Sequence, residues 1–296
     1  MSQDATGNRT TADKSPTADG NPRSNMGLRF LQGSLIGLGA VLPGVSGGVL
    51  CVVFGVYRTF MEFLTAPVRS LQRNARTLVP LVLGFAFGFV VISKALGVLL
   101  DRYPDPSVCL FVGLIGGMIP SLYREAGAQG RSRTSYVTMG VCFIVVLGLL
   151  GTLQVVHVDI EPSFGWNLFC GCCMGLSIIA PGMSFSTLTM PLGLYTQLVT
   201  GIGNFDLGVI VPVGIGLVAT MVLLSRAVNS LMDNHYSVAF HGIIGIVVAA
   251  TIVIVPYGSF AAGAGSALVN TVCLAAGVVA ALALDRFNSS VDVPER

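Results

Sequence analysis

Apolar residues fill ten stretches of this chain, and short polar segments separate them. The stretches run roughly over 29–42, 46–64, 78–100, 107–123, 136–156, 166–180, 184–202, 209–230, 239–255 and 265–284. Stretches of about 18 to 23 residues can cross a bilayer as helices. The two that precede residues 43 and 181 have only about 14 residues, which suits half-helices that enter a membrane and return to the same side.

Both short stretches end in a Pro-Gly step followed by serine. Residues 41–48 read VLPGVSGG and residues 179–186 read IAPGMSFS. Proline lacks an N–H and clashes with the preceding turn, and glycine adopts most backbone angles, so each step predicts a helix end. Because lipid cannot satisfy the backbone groups that a break exposes, each step is either a kink with glycines for close packing or part of a binding site.

The two halves of the chain carry the same residues at a nearly constant offset. The offset is 138 positions through the first block and 132 after a loop that is six residues shorter in the second copy. The matched pairs include Gly33 with Gly171, Pro43 with Pro181, Ser46 with Ser184, Gly55 with Gly193, Tyr57 with Tyr195, Pro80 with Pro212, Lys94 with Arg226, and Asp101 with Asp233. We interpret this register as an internal duplication.

Composition places the chain in a membrane. Of its 296 residues, 53% are hydrophobic and only 10% are charged, with a mean hydropathy of +0.80. A soluble domain has about 25% charged residues, so this chain has too few charges to cover a water-facing surface. It is predicted to be a polytopic membrane protein.

The charges of the short loops predict the orientation. The loops at 65–77 and 124–135 are rich in arginine, whereas those at 157–165 and 203–208 carry acidic residues and no lysine or arginine. Positive loops stay in the cytoplasm. This rule puts both termini in the cytoplasm, and the three spans that follow each hairpin invert the second half relative to the first.

The predicted fold is therefore all-α and polytopic, with an inverted-topology repeat in the cytoplasmic membrane. Each half is a re-entrant helical hairpin plus three transmembrane helices, over 27–156 in repeat 1 and 157–284 in repeat 2. Residues 1–26 are polar without an apolar run and predict a disordered cytoplasmic tail. Residues 285–296 form a short cytoplasmic tail. This layout is common among secondary transporters.

The hairpin tips are the first candidate site. Helix N-termini carry unpaired N–H groups and the positive end of the helix dipole, which favour an anion, and Ser46 can cap the second half-helix. Inversion would bring the second tip in from the opposite face. The substrate-binding residues expected at the tips are Pro43, Gly44, Ser46, Gly47, Gly48, Pro181, Gly182, Ser184, Ser186 and Thr187.

Two basic residues lie inside predicted spans. Lys94 and Arg226 are repeat mates, and each precedes an aspartate by seven residues, Asp101 and Asp233. This spacing sets base and acid on one helix stripe. Intramembrane charges are functional candidates by default, so we expect the bases to bind substrate and the acids to serve in gating or coupling. The alternative is that the two bases snorkel from helix ends.

A charged pair and a cysteine run are two further candidate features. Arg58 and Glu62 form an i, i+4 pair that is either a local ion pair or a gate to the site. The Cys170-Gly-Cys172-Cys173 run has no histidine or second cysteine pair nearby, so it predicts helix packing rather than a metal site. We expect no metal, no cofactor and no nucleic-acid partner, and the sequence leaves the oligomeric state open.

The two motifs resemble those of a known family. PGVSGG at 43–48 with FGVY at 54–57, and PGMSFS at 181–186 with LGLY at 192–195, are similar to the DUF368 family. Its members are implicated as polyprenyl-phosphate (undecaprenyl-phosphate) translocases of the PopT type. The resemblance covers nearly all but the tail, although Phe185 stands where the family usually has glycine. It implies return of the monophosphate lipid carrier to the inner leaflet.

Two other functions remain open at this point. One is a membrane polyprenyl-pyrophosphate phosphatase of the BacA type, which needs acid/base carboxylates and an arginine beside the phosphate. Residues 47 and 185 are glycine and phenylalanine instead, and no paired-glutamate motif precedes either tip, so we expect a lipid transporter and no enzyme. The other is an ion-coupled transporter of a small anion that uses the same dipole site.

Overall fold

The structure is a computed structural model that describes most of the chain. The described residues are 26–42, 50, 51, 54–56, 59, 63, 67–155, 161, 163–179 and 184–289. The expected N-terminal tail and most of both Pro-Gly-Ser motifs lie outside them.

The described residues form helices joined by short turns. The elements are α1 (Met26–Val41), α2 (Pro67–Arg102), α3 (Pro104–Ala126), α4 (Arg133–Val155), α5 (Phe164–Ile179), α6 (Phe185–Thr189) with a 3-10 turn (Met190–Leu192), α7 (Leu194–Gly203), α8 (Leu207–Ile254), α9 (Tyr257–Ala261) and α10 (Ala264–Ser289). Six helical segments within this described part are long and apolar enough to cross a membrane. An all-helical polytopic membrane protein is confirmed. The two short helices α1 and α5 have the length expected of half-helices.

Two single-residue breaks separate consecutive spans. Tyr103 lies between α2 and α3 with φ −137° and ψ 63°, and His235 interrupts α8 with φ −138° and ψ 40°. The break divides α8 into α8a (207–234) and α8b (236–254). The two broken positions are 132 residues apart, which is the offset of the second block. The sequence pattern indicated a polar loop over 231–238, whereas helix continues to both sides of His235.

Glycines let pairs of helices touch backbone to backbone. A Cβ at Gly33 of α1 would overlap the Leu81 carbonyl oxygen of α2, and a Cβ at Gly171 of α5 would overlap the Val213 carbonyl oxygen of α8a. Both contacts recur at the repeat offsets. No side chain fits at either glycine, which explains why the closest packing falls on these positions.

Two further helix pairs join the halves of the chain. Gly113 brings α3 against Leu274 of α10, and Gly245 brings α8b against Met139 of α4. The outer faces of α4 and α10 are apolar and exposed, as at Ile144, which is 68% exposed. Exposed apolar faces of this extent suit contact with lipid.

Candidate functional site

The site is framed by the helix ends that flank the two Pro-Gly-Ser motifs. Val41 ends α1 and Ile179 ends α5, and these residues are 138 positions apart. Val41, Phe185 and Tyr195 belong to one buried apolar cluster, and Leu42 packs against it. The structure therefore brings the described borders of both motifs together. The candidate residues outside the described part are Pro43, Gly44, Ser46, Gly47, Gly48, Arg58, Glu62, Pro181 and Gly182.

A hydrogen bond joins α7 to the helix that leads into the first motif. The Tyr195 hydroxyl of α7 donates to the Val41 carbonyl over 3.0 Å, and Tyr195 is only 1% exposed. The last carbonyls of a helix lack intrahelical partners, so this hydroxyl satisfies one of them in the protein interior. The sequence marked Tyr195 as the repeat mate of Tyr57 and as the last residue of the LGLY motif. That recurrence was the available signal for its role.

Phe185 takes part in the same packing. It is 3% exposed, and its ring centroid lies 5.8 Å from that of Tyr195. Phe111 of α3 meets the other side of Tyr195 at 6.1 Å in an edge-to-face arrangement. The side chain that departs from the family pattern thus supports the tyrosine that holds α1.

Three predicted site residues, Ser184, Ser186 and Thr187, bring their hydroxyls together at the end of the second motif. Ser184 stands at the N-cap of α6, but its side chain makes no capping bond. Its Oγ lies 2.7 Å from the Oγ of Ser186, and the Thr187 hydroxyl donates to the Ser184 carbonyl over 2.5 Å. Ser186 and Thr187 are buried, and Ser184 is half-buried. Hydroxyls held this closely can turn toward the oxygens of an anion as donors.

The four ionisable candidates within the spans are all exposed. Lys94 and Asp101 lie on α2, and Arg226 and Asp233 lie on α8a. Among the described residues, none of the four makes a hydrogen bond or ion pair. The backbone of Lys94 lies close to α7, because a Cβ at Gly203 would be 2.7 Å from the Lys94 Cα.

Two clefts open on the described surface. One of about 430 Å³ lies beside the start of α7. It is lined by Gly193, Tyr195 and Thr196 together with apolar residues of α2, α3 and α8b. The other, of about 360 Å³, lies between the α3–α4 loop and the break in α8, with Arg131 and His235 in its lining. No feature of the sequence pointed to the second cleft.

Within the described part, no group of three or more histidine, cysteine, aspartate or glutamate residues could hold a metal ion. Cys170 and Cys173 are buried in the packing of α5.

The described residues form six helical segments of membrane-spanning length and two shorter apolar helices. This set of helices defines a multi-pass membrane protein. The chain belongs to the VCA0040-like family, described as undecaprenyl phosphate translocase-like, which matches residues 36–271. The resemblance carried by the two motifs is thereby confirmed.

Two relatives are named polyprenyl-phosphate transporter. One from Vibrio cholerae is 24% identical over 231 residues, which cover 73% of this chain and 73% of the relative. One from Staphylococcus aureus is 24% identical over 244 residues, which cover 77% of this chain and 86% of the relative. No solved structure matches the chain.

Proposed function

We propose that the protein returns a polyprenyl-phosphate lipid carrier, such as undecaprenyl phosphate, across the cytoplasmic membrane, with the phosphate headgroup bound at the two Pro-Gly-Ser tips. The observation that carries the proposal is the hydrogen bond from Tyr195 to Val41, which ties residues bordering one tip to the helix that enters the other. Family membership supports a lipid carrier as the substrate.

An inverted repeat is part of the proposal. It is supported by contacts that recur at the repeat offsets, namely Gly84 with Phe30 and Gly216 with Leu168. Gly55 and Gly193, also repeat mates, both have a positive φ, at 66° and 71°. With three spans after each hairpin, the two halves have opposite orientations, and both termini lie in the cytoplasm.

The substrate chemistry suits these residues. A phosphate monoester needs hydrogen-bond donors in place of water, and Ser184, Ser186 and Thr187 offer hydroxyls next to the second tip. The polyprenyl tail is apolar and can stay in the lipid while the headgroup crosses. Lys94 and Arg226, toward opposite faces in the inverted topology, attract the headgroup at entry and exit.

Gating and coupling fall to Arg58, Glu62, Asp101 and Asp233 in this proposal. The carboxyl groups can carry protons, and the two aspartates are exposed near the helix breaks at Tyr103 and His235. No catalytic residue is assigned, because transport of the monophosphate breaks no bond.

The test is flux in proteoliposomes. Wild-type protein is expected to move undecaprenyl phosphate and neither inorganic phosphate nor the pyrophosphate form, and to release no phosphate. The double variant Ser46→Ala with Ser184→Ala is expected to lose most of this flux. Its matched control is Ser34→Ala with Ser177→Ala, because these hydroxyls bond to carbonyls of their own helices. Wild-type flux in the tip variant would disprove headgroup binding there, and flux of inorganic phosphate would favour a small-anion transporter.

A further inference from the structure

Two buried hydroxyls have no hydrogen-bond partner where α7 packs against α2. They are the Oγ of Ser93, which is 0% exposed, and the Oγ1 of Thr200. Hydroxyls on other helices donate to a carbonyl one turn earlier, as the Thr251 hydroxyl of α8b does to the Val247 carbonyl. A buried polar group without a partner costs about 1–3 kcal/mol, and hydrocarbon offers no water to offset it. This interface therefore carries a cost that an apolar interface would avoid.

The Thr200 hydroxyl lies between the two helices, and Ser93 is on the same face of α2 as the glycine that meets it. A Cβ at Gly97 of α2 would lie 2.9 Å from the Thr200 Oγ1. Ser93 precedes Gly97 by one turn, on the face of α2 that bears Leu96, a member of the buried cluster that includes Leu198 of α7. We call this interface the α2–α7 seam.

A positive charge stands at the edge of the seam. Lys94 follows Ser93, and its backbone touches Gly203 of α7 while its side chain is exposed. The glycines at 97 and 203 let the two helices approach closely, and Leu96 of α2 and Leu198 of α7 pack in the same buried cluster. The pair Ser225 and Arg226 repeats Ser93 and Lys94 in α8a, at the 132-residue offset.

We propose that the α2–α7 seam opens during transport and that the Ser93 and Thr200 hydroxyls and the Lys94 ammonium then bind the phosphate headgroup. This inference rests on the proposed function, since it assigns a second headgroup site within the same transport path. The phosphate oxygens accept the hydrogen bonds that both hydroxyls lack in the closed seam, and the ammonium offsets the headgroup charge. The cost of the unpartnered hydroxyls is the physical reason for the opening.

The first test uses near-isosteric substitutions whose two readouts move in opposite directions. Ser93→Ala combined with Thr200→Val removes the unpartnered groups, so the Tm in detergent should rise or stay level. Flux of undecaprenyl phosphate in proteoliposomes should fall at least about tenfold, because hydrogen bonds to a charged group are among the stronger ones. Ser34→Ala, whose hydroxyl is satisfied by the Phe30 carbonyl, should retain wild-type flux. Unchanged flux in the double variant, or a parallel fall of Tm and flux, would overturn the proposal.

The second test locks the seam. A Cβ at Gly97 would lie 3.6 Å from the Thr200 Cβ, within the range that disulfides need. The variant Gly97→Cys with Thr200→Cys should therefore form a disulfide on oxidation, lose flux at least about tenfold and recover it on reduction, whereas each single cysteine variant should not respond. Wild-type flux in the oxidised double variant would refute opening. If wild-type protein itself moves no undecaprenyl phosphate, the proposed function fails and this inference with it; if only the seam variants behave as wild type, the seam alone fails.

Discussion

Replacing Tyr195 by phenylalanine isolates the contact that joins α7 to the end of α1. The substitution removes one hydroxyl and keeps the ring, so the packing of Phe111 and Phe185 around it is preserved. What is lost is the 3.0 Å hydrogen bond to the Val41 carbonyl. The expected consequence is therefore the cost of one buried carbonyl that has lost its partner.

That cost can be bounded from the burial of the pair. Tyr195 is 1% exposed and Val41 is fully buried, so water cannot replace the hydroxyl. An unsatisfied buried acceptor costs about 1–3 kcal/mol, and we expect the free energy of unfolding of Tyr195→Phe to fall by that amount.

The measurement is thermal or denaturant unfolding in detergent, with Tyr257→Phe as the matched control. The Tyr257 hydroxyl also donates to a backbone carbonyl, that of Ile252 at 3.1 Å, but Tyr257 is 61% exposed. Water can replace its bond, so this variant should lose less than about 0.5 kcal/mol. Equal losses in the two variants, or no loss at Tyr195, would refute the reasoning that the buried bond holds α1.

Four other variants probe packing, charge and an exposed ion pair. Gly216→Ala should lower the Tm and the free energy of unfolding, the latter by about 1–3 kcal/mol, because its Cβ would overlap a backbone carbonyl of α5. The control Gly214→Ala has open space around the new Cβ and should leave the Tm level or slightly higher. Lys94→Gln and Arg226→Gln should each slow undecaprenyl-phosphate flux from one membrane face more than from the other, in proteoliposomes of defined orientation; equal effects on both faces would contradict their opposite locations. Asp285→Asn should cost at most about 1 kcal/mol in denaturant unfolding, because its arginine partner is 63% exposed; a larger loss would show that this ion pair matters more than its exposure implies.

The sequence predicted the helices well because their lengths follow from simple chemistry. Apolar runs matched to the bilayer became the six long helical segments. The Pro-Gly steps predicted two helix ends, and α1 and α5 end at Val41 and Ile179, just before them. Proline and glycine act on their immediate neighbours, so local sequence is enough to locate such ends.

The contacts that build the candidate site could not be predicted in the same way. The bond from Tyr195 to Val41 joins residues 154 positions apart, and nothing in the spacing of either residue encodes that partner. Phe185 was noted for departing from glycine, yet its burial against Tyr195 depends on α6 and α7 together. The unpartnered hydroxyl of Ser93 is likewise a property of the packed interface. These features belong to tertiary structure, because they arise where helices from different parts of the chain meet.

The closest contacts also limit how the helices can move. Gly33, Gly37, Gly84 and Gly88 bring α1 and α2 into backbone contact at four positions, so we expect these two helices to move as a pair. α7 is attached to this pair in two ways, by the α2–α7 seam and by the hydrogen bond from Tyr195 to the end of α1. A movement that opens the seam must therefore stretch the Tyr195 bond or carry the end of α1 along with α7. Val41 is the last residue of α1 before the first Pro-Gly-Ser motif. In the proposed transport cycle, the Tyr195 hydroxyl therefore links opening of the α2–α7 seam to the helix end beside the first of the proposed headgroup sites.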